Sequence, residues 1–255
     1  MFRSWFVLAA LAVRFASGAA PAYSADSIVS GADSAPGPFA LNSIITVYGA
    51  NLAYDTAALA ANATSLPYEL ASVSVSINNY WVPLIYVSPT QINLLVPGNL
   101  NPGTVTLYVE RQGQRGPDAT ITLISVAPQL FTDRNGNAIA QHADYSMITP
   151  SSPASPGETI ILYATGLGIT AIASLPAEIP QEPTQVLNAM QVLLNGTAVS
   201  AGLIQYAGIT PGTAGVYQVN LQLPGNLPAN PQIALFSGGQ TSNPGVILPT
   251  QLSAN

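Results

Sequence analysis

The chain has no cysteine among its 255 residues, so disulfides, thiolate chemistry and cysteine-based metal sites are excluded. It has no lysine either. Five arginines, Arg3, Arg14, Arg111, Arg115 and Arg134, face eleven acids, and charged residues make up only 6% of the chain. Nucleic-acid binding needs clustered cations to neutralise phosphates, and this chain cannot supply them. An anionic membrane surface is disfavoured for the same reason. One histidine, His142, leaves too few nitrogen ligands for a transition metal. No cofactor or metal is expected. Beyond the N-terminus there is no apolar run of membrane-spanning length.

Apolar residues are abundant at 48%. A chain so apolar and so weakly charged can build a core and is not expected to be disordered. Its surface must be made polar by Ser, Thr, Asn and Gln.

The N-terminus reads as an export signal. Met1-Phe2-Arg3 is a short positive region, Trp5 to Val13 is apolar, and Ala16-Ser17-Gly18 offers small residues for cleavage. The expected signal peptide covers residues 1–25, with cleavage between 18 and 25. Arg14 closes the apolar run early, and an uncleaved anchor is the alternative. Removal of Arg3 and Arg14 would leave three arginines against the eleven acids, a formal charge of −8.

The chain repeats itself. Gln91-Ile92-Asn93-Leu94-Leu95-Val96-Pro97-Gly98-Asn99-Leu100 returns 127 residues later as Gln218-Val219-Asn220-Leu221-Gln222-Leu223-Pro224-Gly225-Asn226-Leu227. Upstream, Ile44 to Leu52 corresponds to Thr159 to Leu167 at a spacing of 115 (Tyr48 to Tyr163), so the second half carries about 12 extra residues, expected around Ile209 to Gly215. A period above 100 residues is too long for a solenoid and implies two copies of one small domain. The expected organisation is a first domain over 26–126, a connection over 127–156 and a second domain over 157–255.

Each half alternates short β-branched runs with Gly, Pro and Asn. In Val73-Ser74-Val75-Ser76-Ile77 apolar residues fall on every second position, which buries one strand face. Asn78-Asn79 and Asn195-Gly196 then supply hairpin turns at equivalent points. Expected strands are Ile44–Tyr48, Val73–Ile77, Trp81–Tyr86, Ile92–Val96, Thr104–Glu110 and Ala119–Val126 in the first half. Those in the second are Thr159–Thr165, Met190–Leu194, Leu203–Tyr206, Val216–Leu223, Gln232–Ser237 and Val246–Leu248. Six or seven short strands per half is the pattern of a β-sandwich. Pro83 must lie at an edge or bulge, and Ala-rich Leu52 to Leu66 is expected to cap an open end.

Four ordered motifs carry a resemblance: Tyr86-Val87-Ser88-Pro89-Thr90-Gln91-Ile92-Asn93, Ala140-Gln141-His142-Ala143-Asp144-Tyr145-Ser146, Pro156-Gly157-Glu158 leading to Tyr163-Ala164-Thr165-Gly166-Leu167-Gly168, and Gly215-Val216-Tyr217-Gln218-Val219-Asn220. Over roughly residues 30–249 the chain resembles the Solibacter-type uncharacterised C-terminal domain of acidobacterial exported proteins. Gly49-Ala50-Asn51-Leu52 and, more loosely, Gly166-Leu167-Gly168 make each half similar to the IPT/TIG group of immunoglobulin-like domains. The resemblance implies an all-β fold of two tandem immunoglobulin-like β-sandwich domains. It carries over no activity.

The chemistry-bearing residues are few. His142, with Asp144, Tyr145 and Ser146 nearby, could serve a small hydrolase only if a base, an orienting acid and an oxyanion hole converge in space. Turn hydrogen bonding is the simpler role. Asp133 to Asn137 places oxygens at alternate positions, but Ala138 stands where a calcium loop wants glycine. The eleven acids show no paired signature for glycoside hydrolysis. Tyr80, Trp81 and Tyr86 form the densest aromatic cluster and are the candidate ligand-binding residues. The expectation is a non-catalytic exported protein with a structural, adhesion or assembly role at the cell surface. A carbohydrate- or matrix-binding module is the alternative, and a small hydrolase at His142 the remote one. Candidate partners are cell-surface proteins or polysaccharide. Exposure of Trp81 separates the first two readings.

Overall fold

The computed structural model describes residues 18–171 and 176–251. Residues 1–17, which hold most of the expected export signal, lie outside them. The described chain is all-β, interrupted by two single-turn 3-10 helices, Ala25–Ser27 and Ala201–Leu203. It forms two immunoglobulin-like β-sandwiches.

The first half contributes β1 (Ile28–Ser30), β2 (Phe39–Ala40), β3 (Ile44–Tyr48), β4 (Ala57–Ala58), β5 (Val73–Ile77), β6 (Tyr80–Val82), β7 (Leu84–Val87), β8 (Gln91–Leu95), β9 (Gly103–Arg111), β10 (Gln114–Arg115) and β11 (Ala119–Ile124). One sheet has the order β1-β3-β8-β7-β4. The other runs β2-β11-β9-β5-β6, with β10 added to β9. The alternating pattern does what it implies: Val73, Val75 and Ile77 from β5 meet Val105, Leu107 and Val109 from β9 inside the core. Each such side chain contributes about 1.5–3 kcal/mol by leaving water.

The expected strand Trp81–Tyr86 divides at Pro83. Proline cannot donate to a ladder, and here the chain leaves one sheet as β6 and enters the opposite one as β7. Leu52 to Leu66 holds no helix; it supplies the edge strand β4, paired with β7. Both hairpin turns have two consecutive positive φ values, 53° and 66° at Asn78-Asn79 and 49° and 78° at Asn195-Gly196. That geometry matches the right-handed twist of the strands it joins.

The second half contributes β12 (Gln129–Leu130), β13 (Ala140–His142), β14 (Thr159–Thr165), β15 (Met190–Leu194), β16 (Thr197–Ala198), β17 (Ile204–Ile209), β18 (Tyr217–Gln222), β19 (Ile233–Ser237) and β20 (Gln240–Thr241). Its sheets are β12-β14-β18-β17, with β13 on β14, and β16-β15-β19-β20. Residues 127–156, expected to be a connection, place β12 and β13 in this sandwich, and Leu130, Ala138, Ala140, Ile148 and Ala154 enter its core. Val246–Leu248, expected as a strand, makes only isolated bridges through Ile247 to Gln232 and Asn137. The extra length of this half lies chiefly where expected. Tyr86 pairs with Asn93 across a short turn, whereas its counterpart Tyr206 pairs with Asn220 across residues 210–216.

The two sandwiches are docked through polar and apolar contacts together. Ile44 N donates to Thr165 Oγ1 at 3.0 Å, and that hydroxyl donates to Gly215 O at 2.7 Å. Gly215 has φ of 74°, and a Cβ there would meet Leu95 and Ile44 at 2.7–2.8 Å, so only glycine lets the halves approach this closely. Beside it, Leu66 and Leu95 bury against Ala177, Ile179 and Ala214. Backbone bonds Leu66 N to Ala177 O (2.7 Å) and Ile179 N to Thr64 O (3.1 Å) complete the seam.

Candidate ligand-binding cleft

Tyr80 and Trp81 follow the Asn78-Asn79 turn on β6, an edge strand. An edge leaves their rings without a neighbouring strand to cover them, and they are 65% and 45% exposed. Trp81 stands opposite Ser76 on β5, and Ser76 in turn stands opposite Tyr108 on β9. Across that small serine Trp81 and Tyr108 meet edge to face, ring centres 5.9 Å apart. Arg115 covers Tyr108, its guanidinium 3.7 Å from the ring centre, and pairs with Asp118.

Around these rings lies a cleft of about 280 Å³, lined by Tyr68, Tyr80, Trp81, Asn78, Asn99, Asn101, Leu100, Pro97 and Val105, with Pro176 of the second half along one side. That is close to the lower end of ligand clefts, roughly 300–1,000 Å³. No lining residue is ionised. The surface therefore offers aromatic faces and side-chain amides, which suit a neutral ligand with apolar ring faces and many hydroxyls.

Of the three expected site residues, the structure brings Tyr80 and Trp81 together and separates Tyr86. Tyr86 lies on β7 in the opposite sheet, paired with Asn93 and Ala58, and does not line the cleft. The Pro83 crossover is the cause. Tyr68, Asn78, Asn99 and Asn101 join the site without having been anticipated. Pro97, Asn99 and Leu100 belong to the tail of the duplicated motif, which reads as a requirement of folding rather than a ligand site, yet they line the cleft.

The second sandwich provides an internal control. Leu193 occupies the Ser76 position, opposite Ala198 and Ala234, which stand where Trp81 and Tyr108 stand in the first half. The same hairpin therefore folds without either ring. Tyr80 and Trp81 are not demanded by the architecture.

His142 has a different environment. Its Nδ1 lies 2.5 Å from Glu158 Oε1, and its Nε2 lies 3.2 Å from Ser152 O and 3.3 Å from Ser152 Oγ. Ser155 N donates to the other Glu158 oxygen at 2.8 Å. A hydroxyl and a carboxylate thus converge on the ring, in a shallow open groove. Burial lowers the imidazole's proton affinity, but the bonds to Glu158 and to the Ser152 carbonyl outweigh it, and the pKa is raised. A carbonyl oxygen only accepts, so in the bond to Ser152 O the Nε2 is the donor. Ser152 N donates to Thr149 O and Oγ1. The group acts as a clamp on the 142–158 loop.

Asp133 is also used by its own turn. Its Oδ1 accepts from Asn135 N and Asn137 N, and its Oδ2 from Asn137 Nδ2, at 2.8–2.9 Å. These bonds, led by that from Asn137, hold its carboxyl below the usual range. Among the described residues no helix is long and apolar enough to cross a membrane.

Residues 27–131 match the IPT/TIG domain, a span that holds β1 to β11 of the first sandwich. Comparison with curated proteins finds no match. Among solved structures the chain is similar to a surface glycan-binding protein of Prevotella bryantii, at 10% identity over 89% of this chain and 42% of that one, with a TM-score of 0.29. A Bacteroides ovatus glycan-binding protein of a mixed-linkage glucan utilisation locus gives 10% identity over 84% and 43%, TM-score 0.36. An Escherichia coli adhesin gives 12% identity over 94% and 67%, TM-score 0.27. The chain spans less than half the length of the two glycan-binding proteins. Likeness this weak assigns neither a ligand nor a role.

Proposed function

We propose that the protein is a non-catalytic, exported surface module that attaches to neutral polysaccharide through the Tyr68–Tyr80–Trp81 cleft. The observation that carries this reading is the exposure of Trp81 and Tyr80 on an edge strand whose duplicate manages with Ala198 and Thr197. Exposed aromatic faces on an edge strand leave apolar area in water that a stacking partner would cover. Sugar rings present apolar faces to aromatics and hydroxyls to Asn78, Asn99 and Asn101. With no cation in the lining, a polyanionic glycan gains nothing there. The Solibacter-type resemblance and the N-terminal export signal belong to the same proposal, which sets the module outside the cell.

The test is affinity electrophoresis of the protein through gels cast with single polysaccharides. Retardation by at least one neutral hexose or pentose polymer, and none by a uronic-acid polymer, is the expected result. Equal mobility in every gel, alongside capture of surface proteins from a cell fraction, would replace polysaccharide by protein adhesion.

A further inference from the structure

Residues 19–24 lie between the two ends of the interval in which the export signal could be removed, and they are built into the first sandwich. Ala22 exchanges two backbone hydrogen bonds with Ala50, at 2.9 and 2.8 Å. The Tyr23 hydroxyl donates to Pro117 O at 2.6 Å and accepts from Val109 N at 2.7 Å. Burial pushes that phenol up to about 12. Two glycines make room for the segment. A Cβ on Gly49 would run into Ala22 O, and one on Gly116 would sit 2.8 Å from the Tyr23 ring and 3.0 Å from Pro21 O.

Arg111 ties the same segment down. It is 2% exposed, the largest fully buried side chain among the described residues, and no carboxylate is among its partners. Its guanidinium donates to Asn51 O (2.6 Å), Ala19 O (2.7 Å) and Gln114 Oε1 (2.8 Å), and stacks 3.9 Å from the centre of the Tyr54 ring. A buried cation held by neutral acceptors depends on every one of them. A chain beginning at Asp26 would lose Ala19 O, leave Val109 N and Pro117 O without Tyr23, and delete the Ala22–Ala50 bridge.

We propose that the export signal is removed between Gly18 and Ala19, so that Ala19 to Ser24 remain as an N-terminal clamp on Arg111, Ala50 and Val109. Ala16 and Gly18 are the small residues a signal peptidase requires. Gly18 is half-buried, and Ala19 and Ala20 are exposed. Water adds across the Gly18–Ala19 amide: its hydroxyl goes to the Gly18 carbonyl carbon, and a proton goes to the Ala19 nitrogen, which leaves as a new α-amine. The segment also offers Ala20-Pro21-Ala22 as a second small-x-small site. Cleavage there would discard buried Pro21 and the paired Ala22.

This inference rests on the export reading, and the test separates the two. The full chain is expressed in an exporting bacterial host, and the protein is recovered from outside the cytoplasm. Intact mass and N-terminal sequencing then read its first residue. A chain starting at Ala19 is the expected result. One starting at Tyr23 or Asp26 would overturn the cleavage site while leaving export intact. A chain retaining Met1 and confined to the cytoplasm would overturn both. Thermal melting supplies an independent arm. The Tyr23→Phe and Arg111→Gln variants should each melt on the order of 5 °C lower than the parent. Unchanged melting in both would show that the segment does not clamp the fold.

Discussion

Trp81 meets Tyr108 edge to face, with ring planes at 74°. That contact holds the indole on an edge strand, and Arg115 lies over the Tyr108 ring. Tyr108→Leu should therefore act on the cleft without touching a ligand. The fold should lose about 1 kcal/mol, the scale of one edge-to-face pair. Affinity for polysaccharide should fall about fivefold, because the indole must then be ordered on binding. Urea denaturation and calorimetric titration check the two parts.

Trp81→Ala should separate function from folding more sharply. The second sandwich already carries Ala198 at the equivalent position. Stability should fall by about 1 kcal/mol, because the edge-to-face pair with Tyr108 is lost here too, while affinity should fall at least a hundredfold, about 2.8 kcal/mol. Comparable losses in both would show Trp81 to be a packing residue.

One buried hydroxyl, that of Thr165, bridges the two halves at their seam. Thr165→Val keeps the shape but strands Ile44 N and Gly215 O, each worth about 1–3 kcal/mol when left without a partner in the interior. Urea denaturation should show a loss of about 2 kcal/mol. Limited proteolysis should show faster cutting near residues 176–180.

The His142–Glu158 pair sets a pH dependence with a definite sign. The imidazole pKa is raised in the folded protein above its unfolded value of about 6.5. Its contribution is fully present below that unfolded value and is lost as pH rises through the higher folded one. Stability should decline on passing from pH 6 to pH 9. His142→Gln should flatten that decline, which thermal melts across the range will show. A decline of the same size in the variant would place its origin elsewhere.

Much of this architecture was legible from the chain, because the strands obey period two and the turns use Asn and Gly. Ile44–Tyr48, Val73–Ile77, Thr159–Thr165 and Met190–Leu194 form strands at the expected bounds. The duplicated Gln-x-Asn now has a physical account. Residues i and i+2 share a strand face, and Gln91 Nε2 donates to Asn93 Oδ1 at 2.8 Å as Gln218 does to Asn220 at 3.2 Å. What escaped the sequence depends on pairing between distant segments. Nothing local says that Pro83 moves the chain across the sandwich, which is why Tyr86 looked like a neighbour of Trp81. Nothing local places Tyr68 or Pro176 beside it either. Residues 127–156 read as a connection because proline and serine mask the two short strands that register against β14.

The central claim is that Trp81 contacts a neutral glycan. The chain holds two tryptophans, Trp5 and Trp81, so a protein lacking residues 1–18 reports on Trp81 alone. The deciding measurement is titration of its tryptophan emission with soluble neutral polysaccharides and with one uronic-acid polymer. A saturable shift with at least one neutral polymer, absent with the polyanion, is the predicted result. Emission unchanged across the whole panel would contradict it.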